Sequence, residues 1–364
     1  MNILEKYAHL LVHYCMELKQ GERLFITTTT LAEPLLREVY REATRCGVIV
    51  EHQMTFSKQN KIFIAEANDN LIEYINPAYK NMMETYDAYL VIRAPFDVRE
   101  DQFNDPEKTA KRQKALQPVN DIYTERIADR SLKRCLCQFP TQTSAEEAGM
   151  SLEDYASFVY NACRLNEEDP AAAWLEVRSQ QQSVVDYLNQ CDMIRYVNKR
   201  SDISFSVKGR IWINSDGQAN MPSGEVFTGP IEDTVQGYIY FNYPIVYMGH
   251  EVEGVTLHVK DGYVMHWEAE KGMEFLSEVF KLDGARYFGE VAIGTNYNIN
   301  KITKNILFDE KIGGSVHMAI GQSYKQTGGK NKSPVHWDMI TDMKDGGRIY
   351  ADGKLIYENG NFLI

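Results

Sequence analysis

Residues 22–55, ERLFITTTTLAEPLLREVYREATRCGVIVEHQMT, decide the fold class of the N-terminal part of the chain. Apolar strand-like runs alternate there, and again further along the chain, with segments of helical periodicity. The predicted elements are strands over 22–28, 47–55, 87–93 and 133–139, a helix over 31–45 and a first helix over 2–19. Near-continuous apolar strands that alternate with helices are typical of a mainly parallel sheet covered by helices. The sequence therefore predicts an α/β fold for this part of the chain.

The pattern becomes helical between about residues 97 and 190. Ser151 with Asp154, and Asp169 with Pro170, are ordinary signals for the start of a helix, because a capping side chain or a proline suits the first turn. We place this helical connection with the α/β part, which gives a predicted N-terminal domain over residues 1–190.

Strands dominate from residue 192 to the end of the chain, with Gly, Asn and Asp turns at short intervals. Asp261-Gly262 and Asp352-Gly353 are the dipeptides that favour tight hairpins between neighbouring strands. One helix is predicted in this region, over 271–281. The sequence therefore predicts a strand-rich, mainly antiparallel α+β domain over residues 191–364.

Length and charge limit the class of function. A chain of 364 residues exceeds an ordinary single domain, which agrees with the division into two. The net charge of −12 leaves no basic excess of the kind that nucleic acid or an anionic membrane attracts. Small substrates or peptides are therefore the expected partners.

The cysteines and the N-terminus indicate a cytoplasmic protein. The six cysteines form no CxxC pair and no regular series, so the sequence predicts neither a zinc ribbon nor a disulfide framework. The first helix has apolar residues at helical spacing, but Glu5, Lys6 and His9 interrupt the apolar core that a signal peptide needs. No stretch approaches the ~20 apolar residues of a membrane span.

The most informative residues for function are metal-ligand types on short apolar strands of the C-terminal part. They lie in the strings PSGEVFTGP (222–230), YFGEVAIGTN (287–296), SVHMAIGQSY (315–324) and PVHWDMIT (334–341). The candidate residues are Glu225, Glu290, His317, Tyr324, His336 and Asp338. Carboxylates and imidazoles without sulfur suit zinc, cobalt or manganese and argue against an iron–sulfur cluster.

Each of these residues also has an ordinary structural interpretation. His336 and Asp338 lie on one face of a strand, where they can clamp a metal or form a hydrogen-bonded pair. His317 can be a satisfied core histidine, and Glu225 can be an acid at the edge of a turn. Glu290 is harder to explain in this way, because a carboxylate in an apolar strand has a desolvation cost of several kcal/mol that a cation must offset.

Other catalytic motifs are incomplete. His250-Glu251 begins like the helical zinc-protease motif HExxH, but Gly254 stands where the second histidine is required. Neither Ser223 nor Ser323 lies in the G-x-S-x-G frame of a nucleophile elbow. Metal-dependent hydrolysis is therefore the leading hypothesis.

The strings carry a resemblance to a known family. PSGEVFTGP, the GEVA segment, HMAIGQSY and HWDM, in this order and with the seven-residue step from His317 to Tyr324, resemble the signature segments of the M29 aminopeptidases, the thermophilic aminopeptidase group of dinuclear metallopeptidases. The resemblance extends to the helix-strand opening of the chain. This chain departs from the family in its shortness, notably the eleven residues between Tyr324 and His336.

The resemblance implies a ligand set and an assembly. It implies that two divalent metal ions per chain, of zinc, cobalt, manganese or magnesium, are bound by Glu225, Glu290, His317, His336 and Asp338. It also implies that Tyr324 lies close to the scissile carbonyl and that the protein is a homodimer enclosing the active site.

The expected activity is release of N-terminal residues from peptides through a metal-bound hydroxide. Tyr324 is the candidate donor to the oxyanion, and Glu225 or Glu290 is the candidate for bridging the metals and for relaying the proton to the leaving amine. Two alternatives stay open at this point. One is another dinuclear amide or ester hydrolase, for which Arg286 and Lys325 are the nearest phosphate-binding candidates, and the other is a non-catalytic, metal-stabilised binding protein.

Overall fold

The computed structural model describes residues 1–364, which form two compact units. The first unit comprises Met1–Ala171 with Gly217–Pro222, and the second comprises Ala172–Asp216 with Ser223–Ile364. The first contains a parallel sheet with helices and the second contains antiparallel sheets, so the predicted fold class is confirmed. The assignment of functional domains to residues 1–190 and 191–364 stays a prediction.

The secondary structure consists mainly of twenty strands and eleven α-helices. The strands are β1 (Arg23–Thr29), β2 (Ile49–Thr55), β3 (Ala88–Arg93), β4 (Lys133–Gln138), β5 (Met193–Asn198), β6 (Ser201–Ser206), β7 (Ile213–Ser215), β8 (Asn220–Met221), β9 (Glu225–Thr228), β10 (Gln236–Phe241), β11 (Ile245–Tyr247), β12 (His250–Val252), β13 (Val255–Lys260), β14 (Tyr263–Glu268), β15 (Phe288–Gly294), β16 (Ser315–Gly321), β17 (His336–Asp342), β18 (Arg348–Ala351), β19 (Lys354–Glu358) and β20 (Asn361–Phe362). The α-helices are α1 (Ile3–His9), α2 (Glu33–Arg45), α3 (Gln59–Glu66), α4 (Asp69–Glu73), α5 (Pro77–Thr85), α6 (Pro106–Ala128), α7 (Gln142–Glu147), α8 (Leu152–Ala162), α9 (Pro170–Leu188), α10 (Met273–Val279) and α11 (Ile306–Asp309).

The sheet of the first unit has the strand order β2-β1-β3-β4-β8, and all of its pairs are parallel. Leu24, Phe25 and Ile26 are consecutive and all buried, as expected for a strand that is covered on both faces. The predicted mainly parallel sheet is therefore confirmed. Its last strand, β8, belongs to the short segment Gly217–Pro222. The pairing of β8 with β4 could not be predicted from the local sequence.

The N-terminal helix differs from the prediction of one helix over 2–19. Asn2 caps α1 together with Glu5, and the helix then widens into a π-helical turn over Leu10–Cys15. The helical segment ends before residue 19 because Glu17 adopts a positive φ of 45°, which an α-helix cannot accommodate.

The second unit contains two large antiparallel sheets. One has eight strands in the order β14-β13-β10-β6-β5-β18-β19-β20, and the other has five in the order β17-β16-β15-β9-β7. Both predicted Asp-Gly hairpins form, with positive φ at each Asp and Gly. The predicted helix at 271–281 is observed as α10, but the expectation of a single helix was wrong, because Asn305 caps the additional short helix α11.

One apolar core lies against both large sheets of the second unit. From the five-stranded sheet, alternate residues of β15, β16 and β17 contribute to it: Val291, Ile293, Val316, Met318, Ile320, Trp337 and Met339. Because side chains alternate along a strand, the intervening residues point to the opposite face. That second face carries the charged residues described below.

None of the helices combines the length and the apolar character that crossing a membrane requires.

Candidate metal centre

Strand register brings the five proposed ligands onto one face of the five-stranded sheet. Glu225 lies on β9, Glu290 on β15, His317 on β16, and His336 and Asp338 on β17. Each of them stands opposite a residue with little or no side chain: Glu290 and Asp338 opposite Ala319, His317 opposite Ala292, Glu225 opposite Gly294, and His336 opposite Gly321. The small partners leave space for the long polar side chains to converge.

A β-bulge sets the direction of Glu290. The pairing of β15 with β16 shifts between Phe288 and Glu290, so Gly289 is the extra residue. A Cβ atom at position 289 would lie 2.3 Å from the carbonyl oxygen of Gln322, which only glycine avoids. Glycine is therefore required at position 289, because the backbone packs closely there beside the cluster.

The position of Glu225 is fixed by its neighbours in the chain. Gly224 has a φ of +115°, and a Cβ there would lie 2.7 Å from the side chain of Asn296. The amide of Asn296 donates to the carbonyl of Ser223, and the amide of Gln181 donates to the carbonyl of Glu225 at 3.3 Å. These contacts hold the turn so that Glu225 begins β9 with its side chain almost fully buried.

The histidine nitrogens and carboxylate oxygens of the cluster lie close together. His317 Nε2 lies 3.5 Å from Glu225 Oε2, 3.6 Å from Glu290 Oε1 and 3.9 Å from Asp338 Oδ1. His336 Nε2 lies 3.2 Å from Glu290 Oε2 and 3.5 Å from Asp338 Oδ1. Ligands bonded to one ion at about 2.0–2.2 Å lie roughly 2.8–3.6 Å apart in octahedral or tetrahedral geometry, and four of the five separations fall within this range.

Three of these buried atoms have no hydrogen-bond partner: Glu225 Oε2, His317 Nε2 and Asp338 Oδ1. An unpaired buried polar atom costs about 1–3 kcal/mol, and more when it is charged. All three atoms belong to side chains that converge on one another, so a bound cation would satisfy them together.

The orientation of His336 suits a metal ligand. Its Nδ1 lies 2.8 Å from the carbonyl oxygen of Gln322, which can only accept, so Nδ1 carries the proton. The electron pair of the neutral ring is then on Nε2, which points at Glu290 and Asp338. A backbone carbonyl that fixes the tautomer in this way is the usual outer partner of a metal-binding histidine.

The pKa values show that the cluster attracts positive charge. Burial lowers the pKa of His317, but the carboxylates of Glu290, Glu225 and Asp338 outweigh burial and raise it to about 9. Burial raises the pKa of Asp338, but the attraction of His336 outweighs burial and lowers it to about 2. Ionised carboxylates that raise the proton affinity of neighbouring imidazoles would also favour a divalent cation.

Tyr324 lies at the edge of the cluster. Its hydroxyl is 3.4 Å from His336 Nε2, and its ring packs against those of Phe227 and His336 at 5.8 and 4.9 Å between centroids. Desolvation raises the pKa of the phenol above its ordinary value, so the hydroxyl keeps its proton near neutral pH. Tyr324 is thus a hydrogen-bond donor beside the proposed ligands.

Two charged residues of the site, Glu310 and Lys311, were not predicted from the sequence. Lys311 is fully buried, with Nζ 3.6 Å from Glu225 Oε1 and in contact with Glu310 Oε1. Glu310 also groups with His317 and Asp338 as potential ligands. A signal was present in FDEKIGG (308–314), where charged residues stand between apolar Phe308 and Ile312, but such a string is indistinguishable from a solvated turn.

Comparison with known proteins identifies the family. The family profile described as thermophilic metalloprotease (M29) matches residues 1–362. The chain belongs to this M29 family. The resemblance inferred from the four motifs is confirmed, and so is the expectation of a hydrolase.

The similar proteins are named aminopeptidases. Aminopeptidase 2 of Geobacillus stearothermophilus is 29% identical over 419 residues, which covers 99% of this chain and 97% of that protein. Aminopeptidase PepS of Streptococcus thermophilus is 28% identical over 417 residues, covering 99% and 98%. Both alignments are longer than the 364 residues of this chain, so these relatives contain insertions that it lacks.

A solved structure shares the fold. Wild-type AmpT from Thermus thermophilus superposes with a TM-score of 0.86 and 24% identity, covering 100% of this chain and 99% of that chain. The two-unit α/β architecture is thus common to both proteins.

The residues of the cluster fit the divalent metal that a metalloprotease family implies. The donors are imidazole nitrogens and carboxylate oxygens, the ligand types of zinc, cobalt and manganese sites. The buried atoms without partners and the 3.2–3.9 Å separations between histidine and carboxylate atoms agree with this chemistry.

Proposed function

We propose that this M29 protein is an aminopeptidase that releases N-terminal residues from peptides, using two divalent ions per chain and a hydroxide generated at them. The proposed ligands are Glu225, Glu290, His317, His336 and Asp338. The observation that carries the proposal is the convergence of these five side chains on one sheet face, with four of their buried atoms lacking a hydrogen-bond partner. The names of the relatives that match 99% of the chain support the choice of substrate.

Glu290 is the glutamate that would be shared by the two ions. Among the five proposed ligands, Glu225, Glu290 and His317 form one group and Glu290, His336 and Asp338 form a second, so Glu290 is common to both. Its Oε1 faces His317 at 3.6 Å and its Oε2 faces His336 at 3.2 Å. A carboxylate with one oxygen toward each histidine is arranged to bridge.

Divalent ions held here would lower the pKa of water and polarise a peptide carbonyl. The side chains of the chain itself would supply the proton transfers. Glu225 or Glu290 would accept the proton of the attacking water and pass it to the leaving amine. Tyr324 would donate its hydroxyl proton to the oxygen on which negative charge develops.

The cluster can bind the amino end of a peptide. Carboxylates of Glu225, Glu290 and Asp338 lie around two histidines, with Lys311 beside Glu225. An α-amine would be bound there as a further ligand of an ion or as an ion-pair partner of a carboxylate. This chemistry supports cleavage next to a free N-terminus.

Matched peptides test the proposal. The same tripeptide with a free or an N-acetylated terminus is incubated with protein loaded with cobalt, zinc or manganese, and products are identified by mass spectrometry. We expect release of the first residue from the free peptide alone. Equal cleavage of both peptides, or release from the C-terminal end, would refute the aminopeptidase proposal while leaving metal hydrolysis open.

The homodimer and the cytoplasmic location stay predictions. Arg286, the phosphate candidate of the alternative hydrolase hypothesis, has its guanidinium 4.6 Å from the ring of Trp267, and its Nε donates to the carbonyl of Phe280. These contacts give no support to a phosphoester substrate.

A further inference from the structure

The first unit contains a second group of metal-ligand side chains, and nothing in the proposed peptidase chemistry uses it. His9 ends α1, and His13 lies one turn later in the π-helical segment Leu10–Cys15. His9 Nδ1 is 3.1 Å from Glu42 Oε1, and His13 Nε2 is 2.8 Å from the same oxygen. Glu42 lies on the neighbouring helix α2, so two imidazoles from one helix meet one carboxylate from another.

Cys46 adds a fourth donor to this group. It follows Glu42 by four residues at the C-terminal end of α2, and its Sγ lies 3.8 Å from His13 Nε2. The other five cysteines of the chain are buried, whereas Cys46 is only partly buried. It is therefore the thiol of this chain that solvent reaches most easily.

The spacing of the four residues is that of two helical chelates. Residues four apart lie on the same face of a helix, so His9 with His13 and Glu42 with Cys46 each present two donors in one direction. Two histidines at this spacing bind zinc in the helical motif of many metalloproteases. We propose that His9, His13, Glu42 and Cys46 form a second metal site, which binds a zinc-type divalent ion through two nitrogens, one oxygen and one sulfur.

The donor geometry and the exposure of the group suit an ion that enters from solvent. Zinc ligands at about 2.0–2.3 Å lie roughly 3.3–3.7 Å apart in a tetrahedron, and the three separations given above are 2.8–3.8 Å. The donors of His9, His13 and Glu42 already lie within 4.8 Å of one another, and the Cys46 side chain must rotate toward them to complete the site. The side chains of His9 and His13 are 44% and 36% exposed. The π-helical turn that holds His13 is a rare irregularity, often found at functional sites.

The charges around the group leave the donors available. Arg45 Nη1 lies 3.6 Å from Glu42 Oε2, which leaves Oε1 to the histidines. Burial and the Glu42 carboxylate raise the pKa of the Cys46 thiol, so the free site holds a neutral thiol. Binding of the ion would release this proton, as it does for thiol ligands in general.

A bound ion would join α1 to α2 and so fasten the first helical segment to the rest of the first unit. The site differs chemically from the centre of the second unit, because its donor set contains sulfur. This difference makes it measurable beside the other ions, since a cobalt–thiolate bond gives a strong near-ultraviolet charge-transfer absorption that nitrogen and oxygen ligands do not give.

The experiment is a cobalt titration of the full-length reduced protein, followed by absorption and by metal analysis. The wild-type chain should develop the charge-transfer band, and Cys46→Ser should lose it together with one cobalt per chain. His13→Ala should weaken, at least tenfold, the affinity for the cobalt ion that produces the band. The control His52→Ala, which changes another histidine of the first unit, should behave as the wild type.

Peptidase activity provides the second readout. Cys46→Ser and His52→Ala should retain the activity of the cobalt-loaded wild type, and circular dichroism should show both variants folded. A wild-type protein that saturates with cobalt without the thiolate band would overturn the proposal. So would a band of unchanged intensity in Cys46→Ser.

Discussion

Lys311 Nζ lies 3.6 Å from Glu225 Oε1, and the side chains are 0% and 7% exposed. The same ammonium group contacts the carboxylate of Glu310, so one buried cation lies between two acids of the site. A buried charge is tolerated only when partners offset its desolvation. Lys311 therefore neutralises part of the negative charge of the cluster and holds Glu225 against the sheet.

Replacement of Lys311 should destabilise the metal-free protein. Lys311→Met removes the cation and leaves Glu225 and Glu310 uncompensated, which typically costs about 3–5 kcal/mol for a buried pair. Denaturant unfolding measures the loss. The double variant Lys311→Met with Glu310→Gln should recover part of it, and an unchanged free energy of unfolding in Lys311→Met would show that the pair contributes nothing.

Replacement of Glu290 should abolish peptide hydrolysis without unfolding the chain. Glu290→Gln keeps the shape of the side chain but removes the charge that faces both His317 and His336. We expect lower metal content together with lost turnover, measured by metal analysis and peptidase assay. Glu268→Gln, at an exposed position of β14, is the matched control. Wild-type activity in Glu290→Gln would exclude Glu290 from the metal centre.

Tyr324→Phe should lower turnover by about 10²-fold or more while metal content stays the same. The reason is that removal of one donor to an oxyanion typically costs on the order of 2.7–4 kcal/mol of transition-state stabilisation. The phenylalanine ring preserves the packing against Phe227. Steady-state kinetics with a free dipeptide gives the result, and equal turnover in both proteins would reduce Tyr324 to a packing role.

Glu251 should make stability depend on pH. Hydrogen bonds from Lys271 and Lys304 lower its pKa from the ordinary 4.5 to about 2. Because the folded protein binds this proton less readily than the unfolded chain, the stabilisation is present above pH 4.5 and is lost as the pH falls toward 2. Lys271 is half exposed, so screening limits the contribution to about 1 kcal/mol or less.

The corresponding variant is Glu251→Gln. It should be less stable than the parent near neutral pH, and the difference in unfolding free energy should shrink as the pH is lowered from about 5 to about 3. Denaturant unfolding at several pH values provides the comparison. A difference that stays constant over this range would show that the carboxylate is not held by the two lysines.

The sequence predicted that His336 and Asp338 share one face, because strand periodicity is a local property. His336 and Asp338 are two apart, so alternation alone places both on one face, and the structure confirms this with Trp337 packed in the core on the other. The parallel sheet of the first unit was predictable for the same reason. Alternating strands and helices leave few other arrangements.

Long-range packing explains what the sequence did not predict. Lys311 is buried because distant strands bring Glu225 to it, and nothing in its own neighbourhood distinguishes it from a lysine in an exposed turn. The approach of His13 to Glu42 likewise depends on how two helices pack. The choice of Glu290 over Glu225 as the bridging residue rests on distances to two histidines, which spacing along the chain cannot give.

The last prediction concerns the small residues that stand opposite the proposed ligands in the five-stranded sheet. Ala319 is fully buried and stands opposite both Glu290 and Asp338, so its side chain sets the space between the two carboxylates. Ala319→Val adds two methyl groups there, which should cost about 1–3 kcal/mol by overpacking and displace the carboxylates. Metal affinity should fall about 10–100-fold, the range typical of changes beside metal ligands, although no ligand is removed.

The control for this prediction lies on the same strand. Ile320→Val changes the core face of β16 and should cost about 0.5–1.5 kcal/mol of stability while leaving metal affinity and activity intact. Unfolding, metal titration and peptidase assay of the two variants separate a loss of stability from a loss of the site. If Ala319→Val binds metal as tightly as Ile320→Val does, the small residues opposite the ligands do not shape the centre. If both variants lose metal equally, the effect arises from strand stability, and the register argument for the site fails.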